Sequence, residues 1–424
     1  MNEHNQQNLF TKGKPFEVHI SSLFGGEIRE ISKECAYFSI FSSLDSPFMA
    51  VSALIADDDA IFSDLRVDGD KGLLVKARAG NGSSIGGNFH INTYGNTPQN
   101  NRKSQAVLVG CISPEHIHNA SQKVQEYQFW YNPKPISDLI RFVFYKYLKV
   151  PLFSTASAPA TNPAVNINIP KMHPMEAISF LNERAQGSGK NLYAIYQKFN
   201  ARGTPRYFYD DVASLSSQAA KWTFALTESN GGAENDDIID KAYKAGQPIS
   251  KILHYQSESH FNAHDTIKQG YPSRTYIKMD FINKTVESFD DYDQHTLIGK
   301  KQMPLVVALA NSNEDIYGNR AIYEPFNGDS SYYTDPILEK SFHKSKPVAS
   351  AFLGKRVTIT TYGCPEVNPG DKVFLAVPEF VSEPERDPDK QYAKEYLVYS
   401  AQHHVIRSGE FTSKYELISD GQMQ

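Results

Sequence analysis

The chain has 424 residues, enough for two to four domains that each bury a core. A formal charge of −5 and a pI near 6.2 argue against a nucleic-acid coat, because Lys and Arg are scattered among slightly more carboxylates. A mean hydropathy of −0.46 with no long apolar run argues against a membrane span.

Residues 1–14 are polar and lack an apolar signal core, so no secretory address is expected. The first part reads as β-rich. Phe16–Ile20 alternates, Ile28–Ile31 follows the Gly25-Gly26 turn, Ala36–Phe41 is aromatic, and Phe48–Ile55 runs apolar up to Asp57, Asp58 and Asp59. Leu73–Ala77 follows the Asp68-Gly69-Asp70 turn. Residues 80–104, rich in Gly, Asn and Ser around Phe89, Ile91 and Tyr94, read as a loop-tipped hairpin or a flexible arm.

The pattern changes at Asn132-Pro133-Lys134-Pro135. Ser137 is the expected cap of a helix from Asp138, with Leu139, Ile140, Val143, Phe144 and Tyr147 on one face, stopped by Pro151. Residues 154–166 read as a structureless connector and Ile167–Ile169 as a short strand. His173-Pro174-Met175 opens a second amphipathic helix with Ile178, Leu181 and Ala185 inside, ending at Gly187. Two strands follow, Leu192–Phe199 and Arg206–Tyr209, joined at Arg202-Gly203-Thr204.

Further strands are expected at Trp222–Leu226 within the polar stretch 216–248, then at Ile249–Tyr255, Tyr276–Phe281 and Thr285–Phe289. Tyr292–Asp329 reads as loop with short elements, and Asp335–Leu353 as a helix interrupted at Pro347. The tail reads as an antiparallel meander that satisfies its own backbone groups. Its parts are the Pro369-Gly370-Asp371 turn, the alternating run Lys372–Val377, Glu395–Tyr399, Gln402–Ile406, the Ser408-Gly409 turn and Phe411–Ile418.

Chemistry-bearing clusters are weak. Consecutive acids at Asp57–Asp59, and at Asp290, Asp291 and Asp293, lack the alternate spacing of a calcium loop and read as solvated turns. His254, His260 and His264 have no accompanying Glu or cysteine ligand, and His403 and His404 are neighbours on a strand and point to opposite faces. Cys35, Cys111 and Cys364 lie far apart and read as small buried hydrophobes of a reducing compartment. No nucleophile elbow, P-loop or dinucleotide fingerprint is present, so no catalytic residue, metal or cofactor is expected.

Four stretches together carry a family likeness. They are Phe38–Leu74 with its Asp68-Gly69 turn, and Ser113-Pro114-Glu115 through Asn119, Lys123, Val124 and Pro135 to Leu139. The third holds Ile169-Pro170, Pro174, Ala177-Ile178, Leu181, Arg184-Ala185 and Tyr207-Phe208. The last runs from Ile252, Tyr255, Ile267, Gly270-Tyr271 and Asp280 to Gly363, Pro369-Gly370-Asp371, Tyr396-Leu397-Val398, His403-His404 and Thr412. In this order they resemble the central baseplate hub protein of contractile-tailed bacteriophages, related to the hub portion of type VI secretion spike proteins.

The resemblance implies a mainly β chain with a few α-helices (α+β), built of two tail-tube-like β-barrel domains and a smaller inserted domain. Residues 14–128 with 217–255 would form the first barrel, 129–216 with 340–424 the second barrel with helices, and 256–339 the peripheral insert. It implies a non-enzymatic homotrimer in the virion tail baseplate, assembled in the host cytoplasm, that adapts a six-fold tube to a three-fold spike. Its implied partners are the central spike, tail-tube or tube-initiator proteins, the tape-measure protein, the baseplate wedge, and DNA passing unbound through a channel lined by polar and acidic groups.

The insert 80–104 and the charged loop 382–394 depart from the pattern. Their Asn81, Asn100, Arg102, Lys103, Glu385 and Arg386 are candidate interface residues. A cell-wall-degrading tail enzyme and a carbohydrate-binding β-module using exposed aromatics are the competing readings.

Overall fold

The computed structural model describes residues 16–22, 28–57, 60–65, 67, 69–80, 82–98, 105–130, 132–154, 161, 167–185, 192–226, 248–258, 273–280, 284–292, 321–326, 355–378 and 392–419. The chain is mainly β with a few short helices. Seven strands open it: β1 (Phe16–Ser22), β2 (Ile28–Glu30), β3 (Cys35–Ser43), β4 (Ala50–Asp57), β5 (Lys71–Arg78), β6 (Ser84–Pro98) and β7 (Gln105–Ile112). They form one antiparallel sheet in the order β3-β4-β7-β6-β5-β1-β2, with the single-turn α1 (Ile61–Asp64) between β4 and β5. Alternation points Val18, Ile20, Phe38, Ile40, Val51, Ala53, Val75, Phe89, Val107 and Val109 into a single core.

Of the two readings of 80–104, the hairpin is borne out and the flexible arm is corrected. Residues 84–98 are a strand, paired on one edge with β5 and on the other with β7, with a register shift between Ile91 and Thr93. Its glycines allow close approach instead of flexibility: a Cβ on Gly86 would lie 2.3 Å from the Val75 carbonyl oxygen. Residues 99–104 fall outside the described residues.

After β7 the chain builds a helical unit: α2 (Glu115–Ser121), β8 (Val124–Glu126), α3 (Ile136–Val143) continuing as a π-turn through Leu148, β9 (Leu152–Phe153), β10 (Ile169–Met172) and α4 (Pro174–Asn182). Leu139, Ile140, Val143 and Phe144 meet Ala177, Ile178 and Leu181 in its core. Ser137 does not cap α3. Pro135 stands at that position, and Ser137 is buried in the first turn with its N–H donating to Thr161 Oγ1 at 2.8 Å. At α4, His173 and Glu176 form a reciprocal capping box ahead of Pro174. The helix ends at Asn182, before the expected stop at Gly187, which lies outside the described residues.

The predicted hairpin is present as β11 (Tyr193–Phe199) and β12 (Pro205–Asp211), followed by the one-turn α5 (Val212–Ser216). Then come β13 (Trp222–Ala225), β14 (Ile249–Glu258), β18 (Lys355–Tyr362), β19 (Lys372–Ala376), β20 (Lys394–Ile406) and β21 (Phe411–Ser419); β15 (Ser273–Asp280), β16 (Thr285–Tyr292) and β17 (Ala321–Phe326) intervene and make a separate three-stranded sheet. The helix expected at Asp335–Leu353 falls outside the described residues.

Pairing runs β19-β13-β14-β18-β21-β20, and β20 returns to β19, so six strands close into a barrel. Closure removes free sheet edges. Its core holds Phe224, Val357, Ile359, Val373, Leu375, Val398, Tyr415 and Leu417. The strands expected within 217–255 pair here, β13 with β19 and β14 with β18, and not with β1–β7.

The tail also departs from a self-contained meander. Gln402–Ile406 and Glu395–Tyr399 are one strand, bulged at Tyr399 between Val398 and Ser400. The bulge lets β20 serve two partners along one edge: Lys394–Leu397 pair with β19, and Ser400–Ile406 pair with β3. The barrel and the N-terminal sheet are therefore one continuous thirteen-stranded sheet.

Candidate assembly surface

Antiparallel strands with one solvated face alternate between apolar and charged residues, whereas strands covered on both faces read as continuous apolar runs. β4 (AVSALIAD) and β7 (QAVLVGCI) follow the second pattern although their outer face is open. The register lays out that face as rows across four strands. Ile406 of β20, Tyr37, Leu54 and Leu108 form one row; His404, Ser39, Ser52 and Gly110 the next; Gln402, Phe41, Ala50 and Ile112 the third.

None of these positions carries a carboxylate, ammonium or guanidinium group. Phe41 is 40 % and Leu108 49 % exposed, high for large apolar side chains at the centre of a sheet. His404 sits among them with Nδ1 2.7 Å from Ser39 Oγ and its ring 5.1 Å from that of Tyr37. Burial lowers its pKa, partly opposed by Glu410, which keeps the imidazole neutral at pH 7. The face stops at β21 and β18, where Arg356 and Glu416 pair at 2.8 Å and Lys414 is exposed. The result is an uncharged, partly apolar sheet surface with a charged border.

A second feature ties the sheet to the barrel. The β11–β12 hairpin is wedged between the sheet and the barrel by buried polar contacts. Gln197 Oε1 accepts from Met49 N at 2.6 Å and from Ser113 Oγ at 2.5 Å. Two residues on, Phe199 N donates to Asn368 Oδ1 at 2.9 Å, and Asn368 N donates to Asp371 Oδ2 at 3.1 Å. Tyr196 OH donates to Asp210 at 2.9 Å and lies against Gly370, whose φ of +84° suits glycine. At the hairpin tip, Gly203 (φ +74°) brings its carbonyl to Gly86 N at 2.9 Å. Apolar packing follows the same route, with Phe199 in the N-terminal core and Tyr196 beside Leu397 and Ile418. Moving the hairpin would strand buried donors from both lobes.

His403 occupies the crossing point. It is fully buried, as the opposite-face reading of His403 and His404 requires, with Nδ1 2.9 Å from Ser413 Oγ and the rings of Phe199, Phe411 and Tyr415 within about 6 Å. Burial pushes its pKa down to about 4.

The candidate interface residues Asn81, Asn100, Arg102, Lys103, Glu385 and Arg386 all lie outside the described residues, as do His260 and His264, while His254 is exposed on β14. Cys35, Cys111 and Cys364 are free and buried; burial raises the Cys35 thiol to about 12, so it is not a nucleophile. Among the described residues no three His, Cys, Asp or Glu side chains gather as metal ligands, and no helix is long and apolar enough to cross a membrane. The composition of β4 and β7 was the available signal for the uncharged face. Gln197 and Asn368 gave none, because a buried amide is recognised only by its partners.

No family model matches the chain, and no curated protein matches it. Among solved structures, a tail protein from Neisseria meningitidis MC58 aligns over 96 % of this chain and 97 % of its own, with TM-score 0.54 and 11 % identity. The 43 kDa tail protein of prophage MuSo2 from Shewanella oneidensis aligns over 95 % and 98 %, also with TM-score 0.54 and 11 % identity. A type VI secretion component from E. coli aligns over 91 % of this chain and 73 % of its own, at TM-score 0.47 and 7 % identity. The first two matches bear out the hub-protein resemblance at the level of fold: from near one end to the other, this chain is folded as those tail proteins are.

Proposed function

We propose that the protein is a structural hub of a contractile phage-tail baseplate, working as a homotrimer. The observation that carries this is the uncharged outer face of β20-β3-β4-β7, in a chain that shares the fold of tail proteins along its length. An apolar face of this kind is stable in water when another protein surface covers it, and we assign it to contact between subunits. The closed barrel and the N-terminal curved sheet serve as the two tube-like units of each chain. Three chains then offer six such units to a six-fold tube and three equivalent ends to a three-fold spike.

The wedged hairpin suits that role, because an adaptor between two symmetries must hold its units in one orientation. Tube or tube-initiator, spike, tape-measure and wedge proteins are the proposed partners, and the virion tail the proposed location. In this reading DNA passes through without specific binding and the chain catalyses no reaction.

The division at 256–339 is likewise proposed as a peripheral insert, with β15–β17 as its sheet. Light scattering of the purified chain tests the reading directly. A species of three times 47.6 kDa, seen as a ring by electron microscopy, supports it. A monomer at high concentration overturns it, and release of fragments from peptidoglycan would favour an enzyme instead.

A further inference from the structure

We propose that His90 and His116 form a two-histidine site for a borderline divalent cation of the Zn²⁺ class. His90 lies on β6 and His116 in the first turn of α2. His90 Nε2 is 2.7 Å from the Gly69 carbonyl oxygen, and His116 Nδ1 is 3.1 Å from the Ser113 carbonyl oxygen. A carbonyl oxygen only accepts, so each of these nitrogens carries the proton. The other two, His90 Nδ1 and His116 Nε2, are then bare in the neutral rings, and they face each other at 3.3 Å. Two opposed lone pairs at that separation repel unless a cation lies between them.

Distance is compatible with a metal cation. A hydrogen bond from a ring N–H ordinarily spans about 2.7–3.2 Å. Two imidazole nitrogens bound at about 2.0–2.1 Å to a tetrahedral ion stand about 3.3–3.4 Å apart. The observed 3.3 Å separation lies at the long end of a hydrogen bond and matches two ligands on one ion, so the two bare nitrogens, and not the distance alone, point to a metal cation. The backs of both rings already donate to backbone carbonyls, the arrangement that fixes tautomer and ring orientation in metal-binding histidines.

Among the described residues the neighbouring carboxylates are otherwise engaged: Asp70 pairs with Lys71 at 2.7 Å, and Glu115 accepts from Tyr207 OH at 3.0 Å. Water therefore completes the coordination shell. A bound ion would clip α2, and with it the start of the helical unit, to the N-terminal sheet and the turn at Gly69.

The test uses the full chain, stripped with chelator and titrated with ZnCl₂ by calorimetry. One ion per chain is expected, with His90→Gln and His116→Gln each weakening binding ~10-fold or more and His118→Gln leaving it unchanged. Because a variant could misfold, ¹⁵N spectra of the wild-type imidazoles provide a second readout, in which Zn²⁺ shifts His90 Nδ1 and His116 Nε2 together. Three results overturn the proposal: no uptake by the wild type, uptake unaffected by either variant, or a proton shared by the two rings with no response to Zn²⁺.

Discussion

Acidification should loosen the chain at the junction between its lobes, and His403 is the group responsible. The imidazole is fully buried among Phe199, Phe411 and Tyr415, and its pKa falls from 6.5 to about 4. The folded chain therefore holds it neutral, while the unfolded chain takes up a proton as soon as pH drops below 6.5. Stability from this group is complete above pH 6.5, declines as pH falls from 6.5 to 4, and is flat below that. The fall from 6.5 to about 4 corresponds to ~3 kcal/mol, of which ~2 kcal/mol is lost between pH 8 and pH 5.

Urea denaturation at fixed protein concentration and several pH values measures it, with His403→Gln as the comparison, because Gln can still bond Ser413 Oγ and does not titrate. The variant should be less stable than wild type at pH 8 and should close most of that gap by pH 5. A gap that stays constant to within ~0.5 kcal/mol across the range would refute the reasoning.

Phe41→Asp combined with Leu108→Asp places two charges on the uncharged face. The monomer fold should survive, since both side chains point outward, while association weakens by at least ~2 kcal/mol per site, read as loss of the trimer mass in light scattering. An unchanged mass would remove the subunit contact from that face. Gly203→Ala would set a Cβ 1.9 Å from the Ser84 carbonyl oxygen at a φ of +74°, so a loss of at least ~2 kcal/mol in chemical denaturation is expected. Gln197→Leu removes the stronger acceptor of Met49 N–H and the Ser113 hydroxyl, leaving only their longer mutual contacts at 3.2 and 3.4 Å, costing ~1 kcal/mol and speeding hydrogen exchange at the Met49 amide.

Local pattern carried much of the element order. Alternation, aromatic runs and flanking turn residues located β1, β3, β5, β11, β12, β14 and β21, and the proline at His173-Pro174 marked the start of α4, because these signals depend only on neighbours in sequence. Where glycine served close packing, the same reasoning left a hairpin and a flexible arm both open at 80–104, and Gly86 and Gly87 in fact let β6 pass tightly beside β5 and Pro205. Residues 292–329 hid β17, which is recognisable mainly through its parallel partner β15.

By itself the amino-acid sequence determined that this is a β-rich chain with two amphipathic helices and buried thiols. The order of its loose motifs pointed to the tail-hub likeness that the superposition bears out as fold. Only the tertiary structure decided how the strands are shared. The bulge at Tyr399 divides β20 between β19 and β3, the strands near 222–258 join the C-terminal barrel, and Gln197 and Asn368 bolt the hairpin to both lobes. Strand pairing and buried amide contacts join residues hundreds of positions apart. Which edges meet is settled by the closing of the whole sheet, and no local window of sequence contains that information.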